Sequence, residues 1–400
     1  MANQLFSEFE PQSEELWEAK ILADLKGKSK DELESISEDG IKLKPNYFDL
    51  KVPGSVKFRQ TSEWKMTFSS NNPSNLEILH ALEGGMNSLL LNVNDETNIE
   101  SLFKGIMLDI IDCQLIYNGS DIAKFKTKNE KVLSNCKLLI DPYENEMQHD
   151  SYFLNAALYR NAGSTSSQQI SIALAQAVEL LEKEPRNLTI QIGIGPDYFN
   201  EIAMVRGFRS LLDQVIKEFQ WTGNYSIISV PSSYYLSSKD VNNNILRIST
   251  MSMSAILGGS DEINIPAFDF KPSEFSNRIS KNVQLILEQE SYLGNIVDAS
   301  SGSYFIEKLT NDLEQISWSK FQTFEAKGGF SKNLRDDSFN RMIDLAHMER
   351  LQKYAANKRI MLGVNKYKLA DSDETFVEMK SWNGIESKNL SQLIRKEPVI

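Results

Sequence analysis

Apolar residues recur along this chain in two alternating rhythms. Short, nearly continuous apolar runs read as strands: Ser88-Leu89-Leu90-Leu91-Asn92-Val93, Cys113 to Tyr117, Cys136 to Ile140, Leu188 to Ile192, Tyr225 to Val230 and Ile263-Asn264-Ile265. Between them the period lengthens to that of a helix. Gln168 to Lys183 places Ile170, Ile172, Ala173, Leu174, Ala177, Leu180 and Leu181 on one side. Tyr198 to Phe219, Asn244 to Leu257, Ser273 to Gln289 and Glu307 to Ala326 repeat the pattern. Strands that alternate with helices pair in parallel through crossovers, and strands this apolar are covered on both faces. Six such strands over about 200 residues, with room for two more, predict a (β/α)8 TIM barrel. A doubly wound open sheet is the alternative.

The two ends break the rhythm. Residues 1–50 read as an N-terminal helical arm, in which Ser13 opens a short helix with Leu16, Trp17, Ile21, Leu22 and Leu25 on its apolar side and Gly27 as its stop. A single apolar stripe must pack on something, either its own barrel or a partner subunit. The barrel is expected over 51–335. Residues 336–400 are expected as a C-terminal extension, a charged helix over Asp336 to Arg359 followed by a polar, irregular linker.

Composition narrows the function classes. The 43 basic and 55 acidic side chains leave a net charge of −12, which disfavours nucleic acid and anionic membrane surfaces as partners. No apolar run approaches the length of a membrane span, and the first residues carry no signal-peptide pattern, so a cytoplasmic location is expected. Two cysteines, Cys113 and Cys136, make neither a disulfide framework nor a zinc quartet.

Candidate chemistry is sparse. His80, His149 and His347 lie far apart, and none stands at metal-ligand spacing. His80 and His347 read as structural side chains. Gly193-Ile194-Gly195 offers two glycines of a phosphate cradle without the third, and Asp197 would repel an anion there. A turn that lets strand meet helix is the better reading. Gly258-Gly259 reads as a helix C-cap before a strand.

The order of several segments says more. Asn242 to Arg247, then Met253 to Gly259, then Pro266-Ala267-Phe268-Asp269 resemble the barrel of the methylmalonyl-CoA mutase family. Gly193-Ile194-Gly195 with Phe199 and Glu201-Ile202-Ala203 is similar to that family's Gly-Ile-Gly-x-x-Phe-x-Glu-Ile-Ala segment. So are Val297-Asp298 with Gly302-Ser303-Tyr304, Glu325-x-x-Gly328-Gly329, and Gly363-Val364-Asn365-x-Tyr367. The arm, with Ser13-x-Glu15-x-Trp17 and Asp24-Leu25-Lys26-Gly27, resembles the start of the family's small, non-catalytic subunit.

The resemblance implies an isomerase complex that interconverts (R)-methylmalonyl-CoA and succinyl-CoA with adenosylcobalamin. In the family a barrel holds the acyl-CoA, and a separate flavodoxin-like domain binds the cofactor through Asp-x-His-x-x-Gly. No histidine here has that surround, so no cobalamin-binding domain and no cofactor bound by this chain are expected. The family's catalytic Tyr-His pair aligns with Ala157 and Leu158. Its Arg, His and Gln align with Ser226, Ile228 and Val230, and a Gln-Ser pair aligns with Asp261-Glu262. Leucine, isoleucine and valine side chains offer no hydrogen-bond donor. Catalytic groups of one site act as a unit, so losing several together abolishes the reaction. The resemblance therefore implies a degenerate site and a non-catalytic small subunit. Adenosylcobalamin would sit on the partner, the catalytic large subunit. Apolar replacements also predict a filled barrel. Isolated, such a chain could pair with itself through the surface meant for its partner. An acyl-CoA-binding or active mutase barrel served by a separate cobalamin-binding chain is the alternative.

Overall fold

The structure is a computed structural model that describes residues 13–48, 58–59, 61–143, 149–368 and 374–394. Eight parallel strands form its centre: β1 (Lys65–Ser70), β2 (Ser88–Val93), β3 (Asp112–Tyr117), β4 (Lys137–Leu139), β5 (Ser151–Asn155), β6 (Asn187–Ile194), β7 (Asn224–Pro231) and β8 (Glu262–Asn264). β8 pairs with both β1 and β7. β4 and β5 meet at the parallel bridge Ile140↔Tyr152, where the Phe153 amide donates to the Ile140 carbonyl at 2.8 Å. The sheet thus closes on itself as the expected (β/α)8 barrel. The two strands not read from the sequence are β1 and β5.

The crossover helices begin where side chains can satisfy their free amides. Ser74 with Glu77, and Thr165 with Gln168, form reciprocal capping boxes at Asn75–Glu83 and Ser166–Leu181. The Asp121 side chain caps Ile122–Leu133. Tyr198–Glu218, Asn243–Gly258 and Glu274–Gln289 follow β6, β7 and β8. Tyr304–Ala326 lies against Ser166–Leu181 and Tyr198–Glu218. There the buried Arg206 guanidinium joins elements far apart in sequence, donating to Asp298 and, at 3.0 Å, to Glu307. The crossover from β4 to β5 differs from the rest, having no helix among the described residues.

The arm and the tail have their own arrangements. The helix Glu14–Asp24 buries none of its residues, and Leu16 and Leu22 of its apolar stripe are exposed. Among the described residues, its Trp17 makes a ring contact with Phe48. After it, Ser35–Ile36 and Lys42–Leu43 form a small antiparallel ribbon whose tip holds the buried Ile41. The expected boundary at residues 50 and 51 lies outside the described residues. At the other end the helix Ser338–Ala355 matches the charged stretch read from the sequence. The following segment is more ordered than a linker. Ser381–Trp382 and Ile385–Glu386 pair antiparallel, and Trp382, Ile385 and Leu390 are buried. The Trp382 indole donates to the Asp141 carboxylate at 2.9 Å. These scattered apolar residues show no period, and only contact with the barrel orders them. Among the described residues, no helix is long and apolar enough to cross a membrane.

Candidate active-site region of the barrel

Alternation along each strand sends every second side chain into the barrel. At the N-terminal end Asp112 pairs with Lys65 and, at 3.1 Å, with Lys137. Above them lies Glu262, fully buried. Its carboxylate accepts from Thr67 Oγ1 and Ser88 Oγ, each at 2.9 Å, and from Gln114 Nε2 at 2.8 Å. The Gln114 carbonyl in turn accepts from Thr189 Oγ1 at 2.9 Å. β3, β6 and β8 are not neighbours in the sheet, so these bonds cross the lumen. Burial raises the Glu262 carboxyl above its ordinary range, with Asp112 pushing the same way.

The next layer is apolar. Leu90, Ile116, Leu139, Phe153 and Ile228 form a hydrophobic cluster of their own, separate from the main core between sheet and helices. Five strands each contribute one member, so side chains occupy the axis. Toward the C-terminal mouth, Asn264 accepts from Ser69 at 3.0 Å, Asn92 from Asn118 at 3.1 Å, and Asn155 from Gln191 at 3.2 Å.

The positions singled out by sequence lie at this mouth. Ala157 and Leu158 directly follow β5; Ala157 is buried and Leu158 half-buried. Val230, also half-buried, is next to last in β7 and stands opposite Gly193 of β6. Two strand spacings, about 10 Å, therefore separate β5 from β7. Ile228 lies one layer below, in the apolar cluster. Asp261 and Glu262 go elsewhere, because both stand at the opposite, N-terminal end of β8. Asp261 accepts from Arg209 and from the Ile227 amide, each at 2.8 Å, and only Glu262 enters the lumen.

Beside the mouth is an ionic cluster that sequence reading missed. Arg160 donates to Glu201 and, at 2.9 Å, to the Ser164 carbonyl. Its side chain runs against the Gly-Ile-Gly turn. A Cβ at Gly193 would stand 2.6 Å from Arg160 Cβ, so this glycine admits an arginine rather than a phosphate. Above it the ribbon tip inserts Glu38, which Arg350 grips with Nε at 2.9 Å and Nη2 at 2.6 Å, and which Arg359 also contacts. Burial opposes ionisation of Glu38, but Arg350, Arg160 and Arg359 together outweigh it and hold the carboxyl at about 2. Arg350 lies 5.2 Å from the Tyr234 ring and 5.6 Å from the Tyr235 ring. The neighbouring Asp39 accepts from Thr165 Oγ1 at 2.5 Å and from the Ser167 amide at 3.1 Å, at the N-terminus of Ser166–Leu181. The acidic pair Glu38-Asp39 before Gly40 was the only sequence signal of this insertion. Its arginines lie more than a hundred residues away.

The remaining motif residues hold loops together. Asn244 donates to the Ser237 and Phe268 carbonyls at 2.9 and 2.8 Å and accepts from Arg247 at 2.8 Å. Arg247 reaches the Leu362 carbonyl at 2.7 Å. His347 meets the Tyr234 hydroxyl at 2.7 Å, and burial, helped by Lys388 and Arg350, lowers it to about 4. His80 is exposed on an outer helix, and His149 lies beside the start of β5. Among the described residues, no group of three His, Cys, Asp or Glu side chains could hold a metal ion.

Comparison with known proteins gives this geometry a family. The family model described as methylmalonyl-CoA mutase matches residues 143–396, more than half of the chain. The methylmalonyl-CoA mutase small subunit of Porphyromonas gingivalis is 28% identical, over 91% of this chain and 71% of that protein. The methylmalonyl-CoA mutase of Escherichia coli is 32% identical over 54% of this chain, and the large subunit of Propionibacterium freudenreichii is 29% identical over 52%. The matched part is only 33% and 31% of those two proteins' lengths. With a matched family model and the barrel in hand, the chain belongs to the methylmalonyl-CoA mutase family.

Proposed function

We propose that this chain is the non-catalytic small subunit of a methylmalonyl-CoA mutase heterodimer, which stabilises or positions a catalytic large subunit. The observation that carries the reading is the barrel interior. Leu90, Ile116, Leu139, Phe153 and Ile228 occupy the axis where the family's substrate is expected to lie. Ala157, Leu158 and Val230 stand at the mouth where the resemblance expects tyrosine, histidine and glutamine. None of these side chains donates a hydrogen bond to a thioester carbonyl or moves a proton. The nearby arginines are engaged by the chain's own groups, Arg160 by Glu201 and Arg350 by Glu38. The similarity to a protein named as a small subunit, over most of both chains, supports the same reading.

On this reading adenosylcobalamin belongs to the large subunit, and this chain contributes architecture. The test is to mix the purified chain with a methylmalonyl-CoA mutase large subunit and measure mass by light scattering. A one-to-one complex is expected, with isomerase activity that survives substitution of Leu158 or Val230 by alanine. Titration calorimetry of the isolated chain with succinyl-CoA is expected to show no binding. A measurable affinity would favour the alternative acyl-CoA-binding barrel. Turnover by this chain with only a cobalamin-binding chain added would establish the active-barrel alternative.

A further inference from the structure

The chain has two cysteines, and the barrel wall makes them neighbours, a feature independent of the reading above. β3 and β4 pair in parallel, with Gln114 opposite Lys137, Leu115 opposite Leu138 and Ile116 opposite Leu139. One step earlier, the same register sets Cys113, the second residue of β3, level with Cys136, which stands just before β4. Paired strands lie about 4.8 Å apart. Disulfides span Cα separations of about 4.4–6.8 Å, so this spacing admits one without moving the backbone far.

Both side chains also leave the sheet on the same face. Gln114 enters the lumen, so Cys113 and Leu115 on either side of it face outward. Cys136 shares its face with Leu138, and Leu115 and Leu138 both belong to the main core between sheet and helices. Cys113 is a buried member of that core, while Cys136 is half-buried and packs against it. Both are free thiols in this structure. A hydrogen bond with Cys136, and then burial, push the Cys113 thiol far above its ordinary range, so Cys113 keeps its proton.

Exposure and burial thus divide the work between the two sulfurs. We propose that Cys113 and Cys136 are a redox-active dithiol, a modification site at which a hydroperoxide such as hydrogen peroxide closes a disulfide between β3 and β4. The half-buried Cys136 meets the oxidant first. Its sulfur attacks one peroxide oxygen, the O–O bond breaks, water leaves, and a sulfenic acid remains. The Cys113 sulfur then attacks the Cys136 sulfur. The S–O bond breaks, and the departing hydroxide takes the Cys113 proton as a second water. Two electrons pass from the pair of thiols to the peroxide, and a dithiol reductant returns them. With one partner buried and level with the other, closure outruns further oxidation of Cys136.

The experiment treats the reduced full chain, under native conditions, with a small excess of hydrogen peroxide, then counts free thiols and digests the protein without reductant. The thiol count is expected to fall from two to none and to recover with dithiothreitol. The digest should hold one peptide pair joining Cys113 to Cys136, about 2 Da lighter than the sum of its halves for the two hydrogens lost. Cys136→Ser should protect Cys113 from peroxide. Cys113→Ala should leave Cys136 to gain oxygen or to link two chains. Because the register already brings the sulfurs together, the oxidised chain should unfold at a urea concentration no lower than the reduced one. Two thiols that survive the treatment overturn the proposal. So does wild-type Cys136 gaining oxygen while Cys113 stays free, or a disulfide that joins two chains. An oxidised chain that unfolds at lower urea overturns it as well, since the bond would then distort the register that motivates it.

Discussion

Glu38→Gln separates two readings of the N-terminal ribbon: a segment held by its own barrel, or one that rests there loosely. The substitution keeps the shape and one acceptor oxygen but removes the charge facing Arg350, whose side chain is 2% exposed. A glutamate moved from its ordinary 4.5 to about 2 reports, at ~1.36 kcal/mol per pH unit, about 3 kcal/mol of preference for the ionised form in the folded protein. The sign follows from the direction. The folded pKa lies below the unfolded one, so this stabilisation is complete above about pH 4.5. It fades as pH falls toward 2. Removing one partner of a buried pair costs ~3–5 kcal/mol when the other charge is stranded, which agrees with that figure. The assay is urea denaturation of wild type and variant from pH 7 down to pH 3. A deficit of about 3 kcal/mol is expected at pH 7, shrinking steadily below pH 4.5. Lys20→Ala, which breaks an exposed pair with Asp24, is the control and should stay within about 0.5 kcal/mol. A Glu38→Gln variant as stable as wild type at pH 7, or a deficit undiminished at pH 3, would refute the argument.

Two further substitutions probe the barrel axis. Phe153→Ala in the apolar layer leaves a void among four other side chains and should cost ~3–5 kcal/mol in chemical denaturation; a cost below about 1 kcal/mol would mean that the axis is not packed. Glu262→Gln should be at least as stable as wild type at pH 8, because burial raises the Glu262 carboxyl and the wild-type fold loses stability as pH rises above the ordinary 4.5. Glu262→Leu should be destabilised at every pH, since Thr67, Ser88 and Gln114 lose their acceptor at ~1–3 kcal/mol for each group left unpaired. Thermal melts of both variants at pH 5 and pH 8 distinguish these outcomes.

Much of the scaffold was legible because it is written in local periods. Leu89 and Leu91 face the helices, and their strand reads directly from the run around them. Ile170 to Leu181 announces its helix in the same way. β1 and β5 escaped for opposite reasons. Lys65 to Ser70 is half polar, because Thr67 and Ser69 face a polar lumen. Ser151 to Asn155 is short and stands beside a helix with no turn signal between them. The tail around Trp382 reads as a linker because its apolar residues have no period. They match positions on the barrel surface rather than one another.

The amino-acid order alone determined the alternation of strand and helix, the shortage of catalytic residue types, and the segments that point to the family. By resemblance it also aligned Ala157, Leu158 and Val230 with the family's tyrosine, histidine and glutamine. It did not determine which side chains meet across the lumen. Glu262 with Gln114 and Thr189, and Glu38 with Arg350 and Arg359, are partners separated by 75 to more than 300 residues. Local period carries burial and secondary structure, which depend on near neighbours. The choice of a buried charge's partner depends on the closed barrel, since only that closure removes water from both groups and makes their pairing decisive.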